Sequence, residues 1–376
     1  GGRDAAEWTR ALVRTLLAPA ALHDTTAEYA CYRAGETARL RTRVGNTGDV
    51  PFRGTVDFVL SDESGARVFE RRQTVEVPAR QDHLVEIPWT VPAGAPDYLR
   101  LAAVLRADGV PEPLESERGA VVVWNGGVIA KGPKLAVDGL RFTLDGASRF
   151  ILGSQTFWGQ HGSVTASSPA AFYDDFRQMR AFGLRATRCF LPFRTEKEKR
   201  DSDAVVQLAQ KFGLALYHTP NLWNTRDAAE LAKQRAAMTE IAARYRNVPG
   251  FLVDMCNEPQ MREPPSRGAT DAQRAWAKGN RDAFRAVRPE VPVSIGWSQG
   301  WAGGSATKDP QVASLDLDFT DRHYYGPPVK MVPELKDVDL RVLGKPLIMG
   351  ECGAKNHPTF KSSDPWGMGD DDAGYG

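Results

Sequence analysis

The chain has 376 residues, 42% of them apolar and 25% charged, with a net charge of +1. That length exceeds one ordinary hydrophobic core, so two domains are the default expectation. Interleaved Lys/Arg and Asp/Glu give none of the charge blocks of a nucleic-acid or acidic-membrane binder, and no apolar stretch approaches the roughly 18 residues that span a bilayer.

The chain opens Gly1-Gly2 without Met and shows no signal peptide. Its true start is expected to be missing, which leaves the compartment open between secreted, periplasmic and cytoplasmic. Residues 1–26 carry one helical pattern, with Trp8, Leu12, Leu16 and Leu17 on a face, and read as the tail of an upstream domain of the same parent chain. From 27 to 125 the period changes to two. Leu40, Thr42 and Val44 alternate with Arg39, Arg41 and Arg43; Val56, Phe58 and Leu60 enclose Asp57 and Val59; Leu99 and Leu101 bracket Arg100. Turn signals recur between these runs at Asn46-Thr47-Gly48, Glu63-Ser64-Gly65 and Ala93-Gly94-Ala95-Pro96. Short strands without helical segments predict a β-sandwich of immunoglobulin-like type, without that fold's Cys…Trp…Cys framework. Lacking a planar aromatic cluster, it is expected to brace its neighbour rather than bind sugar.

Residues 126–376 form the second expected domain. Within 132–152 the pairs Asp138-Gly139 and Asp145-Gly146 lie between alternating runs and predict a hairpin, placed as a lid on a barrel floor. Strand and helix then alternate. Strands are expected at Phe150–Phe157, Leu184–Phe190, Leu214–Thr219, Phe251–Cys256, Val291–Trp297, Leu317–His323 and Pro346–Gly350. Ser168 and Pro169 open a helix as N-cap and N1, with Phe172, Phe176, Met179 and Phe182 on one face and Gly183 closing it. The next helix is expected to be capped near Ser202, with Val205, Leu208 and Phe212 inward; another runs Asp227–Arg246. Thr270-Asp271-Ala272-Gln273 is a capping box for a helix through Val287. Such repetition gives a parallel sheet with helices outside it. Chemically useful residues end many strands rather than two at a crossover, so a (β/α)8 TIM barrel is preferred over a doubly wound sheet. Seven of eight strands are counted, and the molecule is expected to continue past Gly376, because an unpaired parallel edge exposes a row of backbone groups.

Four cysteines, Cys31, Cys189, Cys256 and Cys352, lack metal spacing. A zinc site would need the last three to converge, yet each adjoins a better inward-facing residue (Arg188, Asn257, Glu351). Buried free thiols are expected. The run Asp370-Asp371-Asp372 is read as a solvated loop rather than a calcium site, and no P-loop, GxGxxG, HExxH or GxSxG pattern is present. No metal or cofactor is therefore expected.

Two glutamates stand out, each closing an apolar run: Glu258 after Phe251-Leu-Val-Asp-Met-Cys-Asn257, and Glu351 after Pro346-Leu-Ile-Met-Gly350. Facing carboxylates at a barrel rim are the minimal equipment for cleaving a glycosidic bond. Around them lies an ordered set of strand ends: Arg188, His218, Asn257-Glu258-Pro259, His323-Tyr324-Tyr325 and Glu351. Carrying these, residues 132–376 resemble the retaining glycosidases of clan A, most closely glycoside hydrolase family 5. The resemblance implies that Glu258 is the acid/base, a role that needs a raised pKa. It implies that Glu351 is the nucleophile, kept ionised by Arg188. Asn257 would bond the hydroxyl beside the anomeric carbon, and Tyr325, in competition with Tyr324, would orient Glu351. His218 and His323 would be pocket walls and hydrogen-bond donors. Trp158, Trp297, Trp223 and Trp301 lie at or just after strand ends, and Trp158 and Trp297 are chosen as the stacking floor for a sugar ring. The bland alternatives are a helix-terminal Glu258, a surface-loop Glu351, a structural ion pair at Arg188, and core packing for the histidines and tryptophans. The family's tryptophan after an eighth strand has no counterpart in this sequence.

The expected function is a retaining β-type glycosidase acting on an oligo- or polysaccharide, with exo action preferred. Its partner is a carbohydrate substrate, with no nucleic acid and no membrane. A non-catalytic carbohydrate-binding barrel and a transglycosylase using the same residues are the rivals. The sugar itself is left open, since specificity resides in loops that vary on one scaffold.

Overall fold

A computed structural model describes residues 20–108, 113, 115–156, 169–222, 227–258, 271–297, 316–325 and 344–353. Contacts divide these into two compact units. One holds the described residues up to Val128 with those of 159–178 and 195–208; the other holds those of 129–158, 179–194 and 209–376.

The first unit contains eight strands: β1 (Ala20–Ala27), β2 (Cys31–Tyr32), β3 (Thr37–Asn46), β4 (Phe52–Ser61), β5 (Arg67–Val77), β6 (Gln81–Thr90), β7 (Tyr98–Ala107) and β8 (Glu115–Val123). They form two sheets, ordered β1-β3-β6 and β2-β8-β7-β4-β5. Successive strands stay within a sheet only at β4–β5 and β7–β8; every other connection crosses, which fixes a two-layer sandwich. The alternation seen in the sequence supplies its core: Leu22, Leu40, Val44 and Ile87 from one sheet meet Val56, Phe58, Leu99 and Leu101 from the other. Strand β1 begins at Ala20, inside the segment assigned by sequence to an upstream tail. The irregularity between His23 and Thr26, where Asp24 takes a φ of 57°, breaks the period that would have revealed it.

The helix Glu196–Lys211 starts earlier than expected. Its cap is Thr195, whose Oγ1 accepts from the Glu198 N–H at 3.2 Å while Glu198 Oε2 accepts from the Thr195 N–H at 3.0 Å. This is a capping box, hidden in the sequence by a first turn so polar that it reads as loop. Ser202, the expected cap, is buried in mid-helix.

In the second unit, β9 (Leu135–Asp138), β10 (Arg141–Leu144) and β11 (Ala147–Ser148) form a small antiparallel sheet. Its turns fall at the two Asp-Gly pairs; Asp145 and Gly146 both have positive φ, at 55° and 78°. Leu135, Phe142 and Leu144 pack with Ala186, Ala215, Leu252, Phe319 and Ile348, residues at or near the starts of parallel strands or, for Phe319, just before one. The hairpin therefore caps the strand-start end and leaves the strand-end face for chemistry.

Seven parallel strands follow: β12 (Gly153–Thr156), β13 (Ala186–Phe190), β14 (Ala215–Thr219), β15 (Phe251–Asn257), β16 (Val293–Trp297), β17 (Thr320–Tyr325) and β18 (Leu347–Gly353), hydrogen-bonded in chain order. Each overlaps one of the seven expected from sequence. A flat sheet of this order would hold its edges roughly 29 Å apart at about 4.8 Å per step. Instead, Gln155 on β12 donates to Glu351 on β18 at 3.2 Å. The sheet must curl on itself, as in a TIM-like barrel.

The helix Ala228–Arg244 is capped by Asp227, whose side chain accepts from the N–H groups of Ala229 and Glu230. It packs on the helix Asp271–Arg285, where Trp276 donates to Gln234 at 2.8 Å. Residues 270 and 273 of the capping box expected from sequence lie outside those described by side chain. No described helix is long and apolar enough to cross a membrane.

Candidate active site

Paired residues on neighbouring parallel strands share a face. Gln155 pairs with Arg188, Arg188 with Tyr217, Asn257 with Gly296, Gly296 with Asp321, and His323 with Glu351. Their side chains meet across non-adjacent strands, so this face is the barrel interior. Two bulges determine who joins it. On β15 three steps, Asp254 to Asn257, oppose two on β16; on β18 two steps, Met349 to Glu351, oppose one on β17. Without these insertions, strict alternation from Asp254 and Ile348 would turn Cys256 and Gly350 inward. The bulges turn in Asn257 and Glu351, in keeping with the concentration of bulges beside active sites.

Arg188, 4% exposed, is the hub. Nη1 donates to Glu351 Oε1 at 2.5 Å; Nη2 donates to Asp254 Oδ2 at 2.5 Å and to Asn257 Oδ1 at 2.8 Å. Burial works against its charge, but Asp254, Asp321, Tyr217 and Glu351 outweigh that and hold its pKa above the ordinary value. Since Arg only donates, the Asn257 oxygen must face it, which turns the Asn257 NH2 away as a donor for another acceptor. Asp254, fully buried, also accepts from Thr219 Oγ1 at 3.3 Å and from the N–H groups of Cys256 and Gly296 at 3.1 and 2.9 Å.

Glu258 follows β15 with a φ of 46°, a left-handed conformation uncommon for a residue with a Cβ and a mark of functional sites. Its N–H is held by Gly296 O at 2.8 Å. His323 lies between the two glutamates, its Nδ1 2.7 Å from Glu258 Oε1 and 3.5 Å from Glu351 Oε2. An ionised Glu258 can only accept, so Nδ1 then carries the proton. Burial disfavours the His323 charge, but Glu258, Asp321 and Glu351 prevail over it and over Arg188, and its pKa is raised. Gly296 makes room for this cluster: a Cβ there would lie 2.9 Å from His323 Nε2 and 3.1 Å from Arg188 Nη2.

Glu258, His323 and Glu351 offer donor atoms within 4.8 Å of one another, a set that could hold a divalent ion. Arg188 already brings a cation to Glu351, and His323 already bridges to Glu258. The geometry is thus better suited to holding and moving a proton than to a second positive charge.

The structure therefore brings Arg188, Asn257, Glu258, His323 and Glu351 together. It does not bring His218. Tyr217 and Thr219 face the interior, where they bond Asp321 and Asp254, so the intervening His218 points to the opposite face. There it packs 5.5–6.5 Å from the rings of Phe251, Tyr245 and Phe193. Neither ring nitrogen finds a partner among the described residues, and burial lowers its pKa to about 3. His218 is a neutral core residue. Trp158, Trp223 and Trp301 lie outside the described residues, as do the side chains of Trp297, Tyr324 and Tyr325. Cys31, Cys189 and Cys256 are buried and in no disulfide, and the side chain of Cys352 is not among those described.

Sequence reasoning missed Gln155, Tyr217, Asp254 and Asp321. One carried a signal. Asp254 is a charge inside the otherwise apolar run Phe251–Cys256, where an acid is almost never found unless paired.

No protein-family model matches the sequence, and no curated protein matches it. Among solved structures, a Bacteroides uniformis beta-glucuronidase is 14% identical with a TM-score of 0.48, over 90% of this chain and 40% of its own. An FMN-binding beta-glucuronidase from Facaelibacterium prausnitzii L2-6 is 15% identical with a TM-score of 0.48, over 91% and 49%. A GH2 beta-galacturonidase from Eisenbergiella tayi, bound to galacturonate, is 15% identical with a TM-score of 0.46, over 92% and 59%. The chain thus spans less than two thirds of the length of each of these proteins.

Proposed function

We propose that this chain carries the catalytic site of a retaining glycoside hydrolase. One observation carries the reading: two carboxylates with oxygens within 4.8 Å of each other sit in unlike surroundings. Retaining enzymes hold their carboxyl groups about 5–5.5 Å apart, whereas inverting ones need about 6.5–9.5 Å to admit a water. Glu351 receives the Arg188 guanidinium and the Gln155 amide, which favour the anion a nucleophile must be. The one side-chain hydrogen bond described for Glu258 is to His323 Nδ1, and a proton can sit at either end of it, which suits a group that gives and takes protons.

In the first step a Glu351 oxygen bonds the anomeric carbon while the bond to the leaving oxygen breaks and takes the Glu258 proton. In the second step Glu258 removes a proton from water, the water oxygen bonds the anomeric carbon, and Glu351 departs. Asn257 presents its NH2 to the neighbouring hydroxyl. The finer placement in glycoside hydrolase family 5 rests on the strand ends Arg188, Asn257-Glu258, His323 and Glu351. His218 lends it no support, and one of the solved structures above bears the GH2 name. The immunoglobulin-like character of the sandwich and its bracing role belong to the same reading.

The test is a screen of aryl β-glycosides with the full-length protein, the first-formed anomer being read by NMR. Retention is expected, with Glu258→Ala and Glu351→Ala each losing at least about 10²-fold in kcat. An inverted product, or full activity in Glu351→Ala, would sink the proposal.

A further inference from the structure

Asp321 takes no part in the steps above, yet it bonds the residue before Glu351 and faces His323. It is fully buried in the barrel interior. Oδ2 accepts the Tyr217 hydroxyl at 2.6 Å, and Oδ1 accepts the Gly350 N–H at 2.9 Å. Gly350 is the extra residue of the β18 bulge, the insertion that turns Glu351 inward. A Cβ at Gly350 would lie 2.2 Å from Asp321 Oδ1, so a side chain there would push the carboxylate out of place. On its other side Asp321 Oδ1 stands 3.9 Å from His323 Nε2. One carboxylate thus touches the bulge that aims Glu351 and faces the ring that bridges Glu351 to Glu258.

We propose that Asp321 is a positioning residue that pins the Gly350 bulge, and through it sets the attack geometry of Glu351. The inference rests on Glu351 being the nucleophile. A bulge has an alternative: slipping by one residue would restore regular pairing and swing Glu351 to the other face. The Asp321–Gly350 hydrogen bond opposes that slip, and the Tyr217 hydroxyl stops the carboxylate from turning away. An error of about 1 Å in a reacting group can cost about 10²-fold in rate.

The experiment compares Asp321→Ala, Asp321→Asn and Glu351→Ala in the full-length protein, reading kcat, KM and the exchange rate of the Gly350 amide. Asp321→Ala is expected to lose about 10²-fold in kcat with KM changed by less than about threefold, because the lost interaction acts on the transition state rather than on binding. Its Gly350 amide exchanges faster. Asp321→Asn keeps an oxygen for Gly350 and an NH2 that the Tyr217 oxygen can accept, so exchange stays slow and about tenfold of the rate returns. An Asp321→Ala protein that keeps kcat within threefold, or protects Gly350 as well as the parent does, overturns the proposal. If Glu351→Ala is itself fully active, the nucleophile assignment fails instead. Should Asp321→Ala not fold, Tyr217→Phe decides: a kcat reduced about tenfold at constant KM is expected, and an unchanged kcat overturns the role of Asp321.

Discussion

Replacing Arg188 with methionine separates two contributions that the structure joins in one side chain. Arg188 is 4% exposed and donates at 2.5 Å to Asp254 and to Glu351, and at 2.8 Å to Asn257. Methionine fills much of the volume but leaves the fully buried Asp254 without its cation. Removing one partner of a buried ion pair costs about 3–5 kcal/mol, chiefly because the remaining charge is stranded. For a domain of this size that corresponds to a fall of roughly 6–20 °C in Tm. Catalysis should suffer separately. Glu351 loses the donor that fixes it, and loss of one such preorganised donor costs about 10²–10³-fold in kcat. Adding Asp254→Asn to Arg188→Met removes the stranded charge, so stability should recover by roughly 1–3 kcal/mol while kcat stays low. Denaturant unfolding and aryl glycoside kinetics on the four chains of this cycle measure both effects. An Arg188→Met protein that melts within about 2 °C of the parent, or a double variant that regains activity along with stability, would refute the reasoning.

Three further outcomes are expected. The folded-state pKa of His323 is raised, with Glu258, Asp321 and Glu351 outweighing its burial. Its stabilising contribution is therefore complete below the unfolded value of about 6.5 and is lost as pH rises through the folded pKa. The Tm difference between parent and His323→Gln should then be largest in acid and shrink in alkali; a difference independent of pH contradicts this. His218 has the opposite sign. With its folded pKa lowered to about 3, its neutral form stabilises fully above about 6.5 and progressively less as pH falls toward 3. His218→Phe should shift the acid-unfolding midpoint to lower pH and leave kcat unchanged, and a large loss of kcat would return His218 to the site. Gly350→Ala places a Cβ 2.2 Å from Asp321 Oδ1; it should destabilise by about 1–3 kcal/mol and depress kcat, whereas an unperturbed melting curve would show that the bulge is free to adjust.

Much of the fold was legible because period and punctuation are local. The sandwich core followed from alternation in runs such as Leu40-Arg41-Thr42-Arg43-Val44, and all seven parallel strands from short apolar segments bounded by turn and helix signals. Errors arose where local signals mislead. A capping box at Thr195 and Glu198 was masked by a charged first turn, and β1 by an irregular pairing after His23. His218 was assigned to the site because the resemblance sets a histidine at the end of the third strand. Which face of a continuously apolar strand looks inward is not encoded in that strand; it is set by register against its neighbours.

The sequence by itself determined that two glutamates end two strands of one parallel array, with an arginine on an earlier strand and a histidine on a later one. Chain order, apolar runs and residue chemistry suffice for that. The tertiary structure decided which atoms meet. One-residue bulges on β15 and β18 carry Asn257 and Glu351 across a face that strict alternation would give to Cys256 and Gly350. Closure of the sheet brings Gln155, Arg188, Asp254 and Glu351 from four strands into contact. Both depend on pairing between segments far apart in the chain, and no period within a single segment records its partner's register.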